Sequence, residues 1–139
     1  MQKDFSKNVI KEYTYWTVQV HENQSYLGRC IIACKREDAL HLTDATPEEW
    51  SELQTILKEL KAASEKGFQP DWFNFAFLGN EWRHLHGHLV PRYASARTFM
   101  GMNFEDKRFG TNFQTDPTFT TPEEIIQSVK QRMIEALSP

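Results

Sequence analysis

His84, His86 and His88 alternate with Leu85, Gly87 and Leu89. Side chains of an extended strand alternate faces with a period of two. The spacing therefore predicts a strand with three imidazoles on one face and apolar or small residues on the other. A helix would spread the same residues around its circumference. The chain has 5 histidines, and three of them fall in this stretch. Imidazole serves as nucleophile, proton donor or metal ligand near neutral pH, so the row is a candidate reaction surface. Read alone, it fits covalent chemistry or a metal site with three ligands and an open fourth position.

The rest of the chain supplies a frame for such a strand. Residues 15–20 read as a strand with Trp16, Val18 and Val20 on one face, and residues 26–34 as a second. The polar stretch from His21 to Ser25 between them suggests an antiparallel hairpin. Thr46 can cap a helix, Pro47 suits its first position, and Glu49 completes a capping box. Trp50, Leu53, Ile56, Leu57, Leu60 and Ala63 then recur at helical spacing, with Gly67 as the expected stop. Residues 72–78 alternate as a strand, with Phe73, Phe75 and Phe77 on one side and Asn74 and Ala76 on the other. A polar turn over 79–83 leads into the histidine strand, which is expected to end at Pro91. Residues 94–120 read as loop with one or two short strands. Thr121, Pro122, Glu123 and Glu124 repeat the capping signature, and Ile125, Ile126, Val129, Met133, Ala136 and Leu137 give a C-terminal amphipathic helix.

Strands and helices are segregated, which predicts an α+β fold with a mainly antiparallel sheet of about five strands, a long helix and a C-terminal helix. A length of 139 residues suits a single domain, residues 1–139. Formal net charge is -3, so no global field favours nucleic acid or an anionic membrane. Any bound phosphate must be held by local groups. No apolar run approaches a membrane span, and Met1 to Phe5 lack the hydrophobic stretch of a signal peptide. Cytoplasmic residence is expected. Cys30 and Cys34 share a strand face in an apolar run and are expected to be buried free thiols. Four residues along a strand span about 13 Å, too far for a disulfide without strain.

The stretch from Gly79 to Arg92 resembles the motif of the histidine triad (HIT) family, His-φ-His-φ-His-φ-φ with φ apolar. The stretch from Ser25 to Cys30 is similar to the family's Gly-containing strand upstream of its long helix. The resemblance covers about residues 16–93. It implies a HIT-like fold and a hydrolase or nucleotidyl transferase acting on a purine nucleoside phosphoester, phosphoramidate or dinucleoside polyphosphate. Carried over, His86 is the nucleophile that forms a nucleotidyl-histidine intermediate, His88 contacts the phosphate, and His84 supports the arrangement. Asn80, four positions before His84, matches a polar residue that meets phosphate or leaving group. Asn74 matches an asparagine near the nucleotide. The acidic or amide residue that holds the ribose falls on His21 or Glu22, with Glu22 the better acceptor for two hydroxyls. The resemblance asks for no cofactor, though Mg²⁺ can accompany a polyphosphate, and it implies a homodimer.

Three positions depart from the pattern. Arg29 stands where the family often has histidine after glycine, and an arginine there can hold phosphate. Gly87 replaces an apolar φ residue and weakens the strand or admits a close neighbour. Cys34-Lys35-Arg36-Glu37 lacks the histidine of the basic element after the second strand. These departures motivate an alternative, a nucleotide-binding module with little catalysis. A metal protein using the same histidines is a further one.

Overall fold

A computed structural model describes residues 6–138. The Met1–Phe5 segment, read above for its lack of a hydrophobic leader, lies outside the described residues.

Trp16, Val18 and Val20 share a buried face in strand β2 (Trp16–Val20). A short strand β1 (Val9–Glu12) pairs with β2 on its outer side, with a bulge between Val9 and Lys11. On its inner side β2 pairs antiparallel with β3 (Cys30–Cys34), from Trp16↔Cys34 to Val20↔Cys30. After helix α1 (Pro47–Phe68) come β4 (Trp72–Ala76) and β5 (His86–Arg92). A small hairpin, β6 (Arg97–Phe99) and β7 (Met102–Phe104), stands apart, and helix α2 (Glu123–Leu137) follows. The main sheet has the order β1-β2-β3-β5-β4, with every pairing antiparallel. The α+β class is as the sequence predicts.

The pleat divides the sheet into two faces. Val18, Cys30, Ile32, Cys34 and Leu89 are buried on one, in a core shared with Leu53, Ile56 and Leu60 of α1 and Ile125, Val129 and Met133 of α2. Both cysteines are free and buried. The opposite face carries His86, His88 and Arg92, and the 105–119 loop lies against it. A buried ion pair fixes that loop. Arg92 Nε donates to Asp106 Oδ2 at 2.7 Å, with the two side chains 2% and 1% exposed. Arg92 also donates to Asn74 Oδ1 and the Thr111 carbonyl, while Asp106 accepts from the backbone of Tyr93 and Arg108. Such a saturated pair is costly to break from one side only, about 3–5 kcal/mol.

Six local expectations are corrected. Strand β1 is absent from the sequence reading, because four residues of mixed polarity carry little periodicity. The strand expected over 26–34 begins only at Cys30: Gly28 has φ +90, and Arg29 N–H turns back to the Tyr26 carbonyl. Helix α1 runs through Gly67 and stops where Gln69 turns left-handed at φ 48, just before Pro70. Pro91 sits inside β5, opposite Phe73, rather than ending it. The β3 ladder stops at Cys30↔Leu89, so no β3 partner asks for the N–H that proline lacks. Thr121 does not cap α2; its hydroxyl accepts the Gln24 N–H at 2.9 Å instead. Thr46 does cap α1, with Glu49 completing the box. Trp50, expected on the packed face of α1, is exposed.

Gly87 is explained by Phe77. A Cβ at position 87 would lie 2.4 Å from Phe77 Cε1. The ring lies against the bare backbone of β5. Gly87→Ala is expected to cost about 1–3 kcal/mol through overpacking. In a Phe77→Ala background the same change is expected to cost less than about 0.5 kcal/mol, since the two positions share one space. Urea unfolding of the four proteins checks both numbers, and additive losses would exclude the steric account.

Candidate active site

The β3–β5 register places Ala33 opposite His86 and Ile31 opposite His88. Two residues before Ile31, Arg29 comes beside His88 on the same face. A cleft of about 720 Å³ runs over this row. His86, His88, Arg29 and His21 line it, the Leu78–Trp82 segment forms one rim, and Phe113, Thr115 and Pro117 of the long loop form the other.

Hydrogen bonds fix the protonation pattern of each ring. A carbonyl only accepts, so the ring nitrogen facing it carries the proton. His84 Nε2–H donates to the Cys34 carbonyl at 2.6 Å. His86 Nδ1–H donates to the His84 carbonyl at 2.6 Å. In neutral His86 the lone pair therefore sits on Nε2. Arg29 is a donor only, so its Nη2–H donates to His88 Nδ1 at 3.2 Å. That leaves the proton of His88 on Nε2. His21 Nδ1 accepts the Asn23 N–H at 2.9 Å, which gives it the same Nε2–H form. The cleft thus holds one lone-pair imidazole and two imidazole donors.

Burial keeps these rings neutral. It lowers the His86 pKa below the usual imidazole value, against the raising effect of its bond to the His84 carbonyl. Burial first, and the Arg29 charge second, push His88 and His21 down to about 3. Burial also lowers Arg29, to about 10, so it stays charged at neutral pH. The Trp82 indole covers the row from the rim, with ring centroids 4.8 Å from His84 and 4.7 Å from His86. A neutral imidazole held by a carbonyl on one nitrogen and free on the other is the arrangement of a nucleophile, and adjacent N–H donors can stabilise charge on a phosphoryl group.

The family model of the HIT domain matches residues 2–95. The chain belongs to the HIT domain family. Solved structures share its fold. A histidine triad protein of Bradyrhizobium japonicum superposes with a TM-score of 0.72 at 17% identity, over 99% of this chain and 97% of that one. A zinc-bound histidine triad family protein of Mycobacterium smegmatis gives 0.65 at 21% identity, over 93% and 82%. The diadenosine triphosphate hydrolase of Plasmodium falciparum gives 0.67 at 13% identity, over 94% and 76%. No curated protein matches the chain.

Within this HIT domain the residues singled out from the sequence are dispersed. His86 and His88 line the cleft, with Asn80 at its rim and His21 on its wall. His84 precedes β5, and its ring turns to the Cys34 carbonyl rather than lining the cleft. Glu22 is exposed and does not line the cleft. Asn74 lies on the same sheet face but lines the neighbouring cleft with Trp72 and Phe109. Among the described residues, no group of three or more His, Cys, Asp or Glu is placed to hold a metal ion, and no helix is long and apolar enough to cross a membrane.

Arg29, Thr115 and Phe113 complete the HIT cleft. The strand period from Ile31 points to Arg29, whereas nothing in the polar loop sequence distinguishes Thr115 or Phe113.

The buried imidazoles tie stability to pH. In the unfolded chain His21 and His88 take up protons near 6.5, but in the folded chain only near 3. Between those values the unfolded state binds more protons, so stability falls as pH drops below about 6.5. Urea midpoints between about pH 7.5 and about pH 5 should decrease. His88→Asn should flatten the dependence, by no more than about 1.4 kcal/mol per pH unit.

Proposed function

We propose that the chain is a nucleotide hydrolase or nucleotidyl transferase of the HIT type. One observation carries this reading: the His84 carbonyl holds His86 Nδ1–H and leaves Nε2 as the lone pair, beside the Nε2–H of His88. In the proposed reaction His86 Nε2 attacks the α-phosphorus of a purine nucleoside phosphoester, phosphoramidate or dinucleoside polyphosphate. The bond from phosphorus to the leaving group breaks as the P–N bond forms. The leaving group departs with the bond's electron pair and takes a proton from solvent or a rim group. Water, or another acceptor, then attacks phosphorus; a P–O bond forms as the P–N bond breaks, the electron pair returns to His86 Nε2, and the acceptor's proton passes to solvent.

The other residues take roles by position. His88 Nε2–H meets a non-bridging phosphate oxygen, and Asn80 meets the phosphate or leaving group at the rim. His21 holds the ribose from the wall, with Glu22 beyond it. His84 orients His86 through its carbonyl. Asn74 acts at one remove, through Arg92 and the loop that Arg92 anchors. The covalent step asks for no cofactor; magnesium would enter as part of a polyphosphate substrate. The likeness in fold to the Plasmodium falciparum diadenosine triphosphate hydrolase supports nucleotide chemistry on this framework.

The decisive experiment is mixing of the purified protein with a labelled purine nucleotide, a denaturing quench at alkaline pH that preserves the acid-labile P–N bond, and mass analysis. A nucleotidyl adduct on His86 is expected, and His86→Ala is expected to lose both the adduct and turnover, by about 10²-fold or more. Full turnover by His86→Ala would defeat the assignment. Binding without turnover across a broad panel would favour the alternative of a nucleotide-binding module, which the Arg29 substitution motivates.

A homodimer completes the proposal. Strand β4 is an edge of the sheet, and Trp72 is 67% exposed on it, with Phe75 also exposed. An edge with unpaired backbone groups and apolar side chains is suited to pairing with a second copy. Light scattering at micromolar concentration should give twice the chain mass, and Trp72→Lys should shift it toward one; a wild-type monomer would refute the dimer.

A further inference from the structure

Arg29 is 4% exposed, yet no acidic side chain among the described residues pairs with it. Its Nη1 donates to Thr115 Oγ1 at 2.6 Å and its Nη2 to His88 Nδ1 at 3.2 Å. Its Nε is buried and meets no hydrogen-bond acceptor. The Phe113 ring, with its centroid 5.2 Å from Cζ, provides face-on compensation for the charge. A buried charge without a counter-charge is strongly disfavoured, and unlike lysine an arginine does not readily escape by losing its proton. Among the described residues, the other buried charged side chains, Arg92 and Glu49, are ion-paired, with Asp106 and Arg36. Arg29 is not, and it lines the cleft.

We propose that Arg29 is the anion receptor of this cleft: its unpaired guanidinium takes a phosphate oxyanion beside His88, and its bond to Nδ1 holds His88 as the Nε2–H donor. The ligand thereby supplies the missing counter-charge. The proposal rests on the nucleotide reading only for the kind of anion. It makes charge a determinant of selection: a nucleoside monophosphate is preferred over the neutral nucleoside with the same base and ribose.

Calorimetry with AMP, adenosine and inorganic phosphate tests this without turnover. The wild-type protein should bind AMP about 10- to 100-fold more tightly than adenosine, as a charge-assisted hydrogen bond implies. Arg29→Gln and Arg29→Met should each lose that preference. Removing a buried unpaired charge should leave thermal stability unchanged or raised. Nitrogen-15 spectra of the wild-type protein read the same site without a variant. Phosphate should shift the Arg29 Nε–H resonance, and His88 should report the Nε2–H tautomer. An AMP preference retained by both variants, its absence in the wild-type protein, or an Arg29 resonance indifferent to saturating phosphate would each overturn the proposal. None of these outcomes touches the His86 adduct, whose presence or absence is read separately.

Discussion

Four cross-strand pairs between β3 and β5 hold the cleft in place. Because strand side chains alternate with a period of two, a slip of β5 by one residue would turn His86 and His88 toward the core and bring Leu89 to the opposite face. The cost of that exchange makes the register hard to shift. The histidine row is thus aligned by the hydrophobic residues between its members rather than by any interaction of its own.

Glu49 links this ladder to the helices. Its carboxylate accepts from the Thr46 N–H at the start of α1, from Arg36 Nε and Nη2, and from the Cys34 thiol. Its backbone carbonyl accepts the Trp16 indole N–H. Arg36 holds the Glu49 carboxyl down to about 2, so it stays ionised. The next link is Cys34, whose carbonyl receives His84, whose own carbonyl receives His86. One buried carboxylate at a helix cap therefore lies two residues away, in contacts, from the orientation of the candidate nucleophile.

Periodicity made the frame legible in the sequence. Both helices, the β2–β3 hairpin and the alternation of β4 and β5 follow from apolar spacing and from the Thr46–Glu49 box. Strand β1 was not legible, because its pairing is dictated by β2 rather than by its own four residues. Gly67 does not mark the end of α1, because glycine permits a left-handed turn without requiring one, whereas Pro70 forces the chain out of the helix. At the site, His86 and His88 were legible from spacing. His84 was not, as its ring follows a carbonyl on another strand. Chemistry alone favours Glu22 over His21 for ribose contact; which of the two faces the cleft depends on the turn that places Asn23 against the His21 ring. The loop wall with Thr115 and Phe113 depends on the long-range Arg92–Asp106 pair and leaves no local pattern to read.

The contact between Phe77 and Gly87 reaches beyond this chain. A ring that fills the space of an absent side chain makes two positions, ten residues apart in sequence, behave as one unit of volume. Lineages that acquire a branched residue at the position of Gly87 should carry a smaller one at the position of Phe77. The apolar slot of the triad motif is then a shared volume that a residue outside the strand can fill. A search pattern that demands a bulky residue inside the triad will pass over chains, like this one, in which a ring just past the end of β4 fills it.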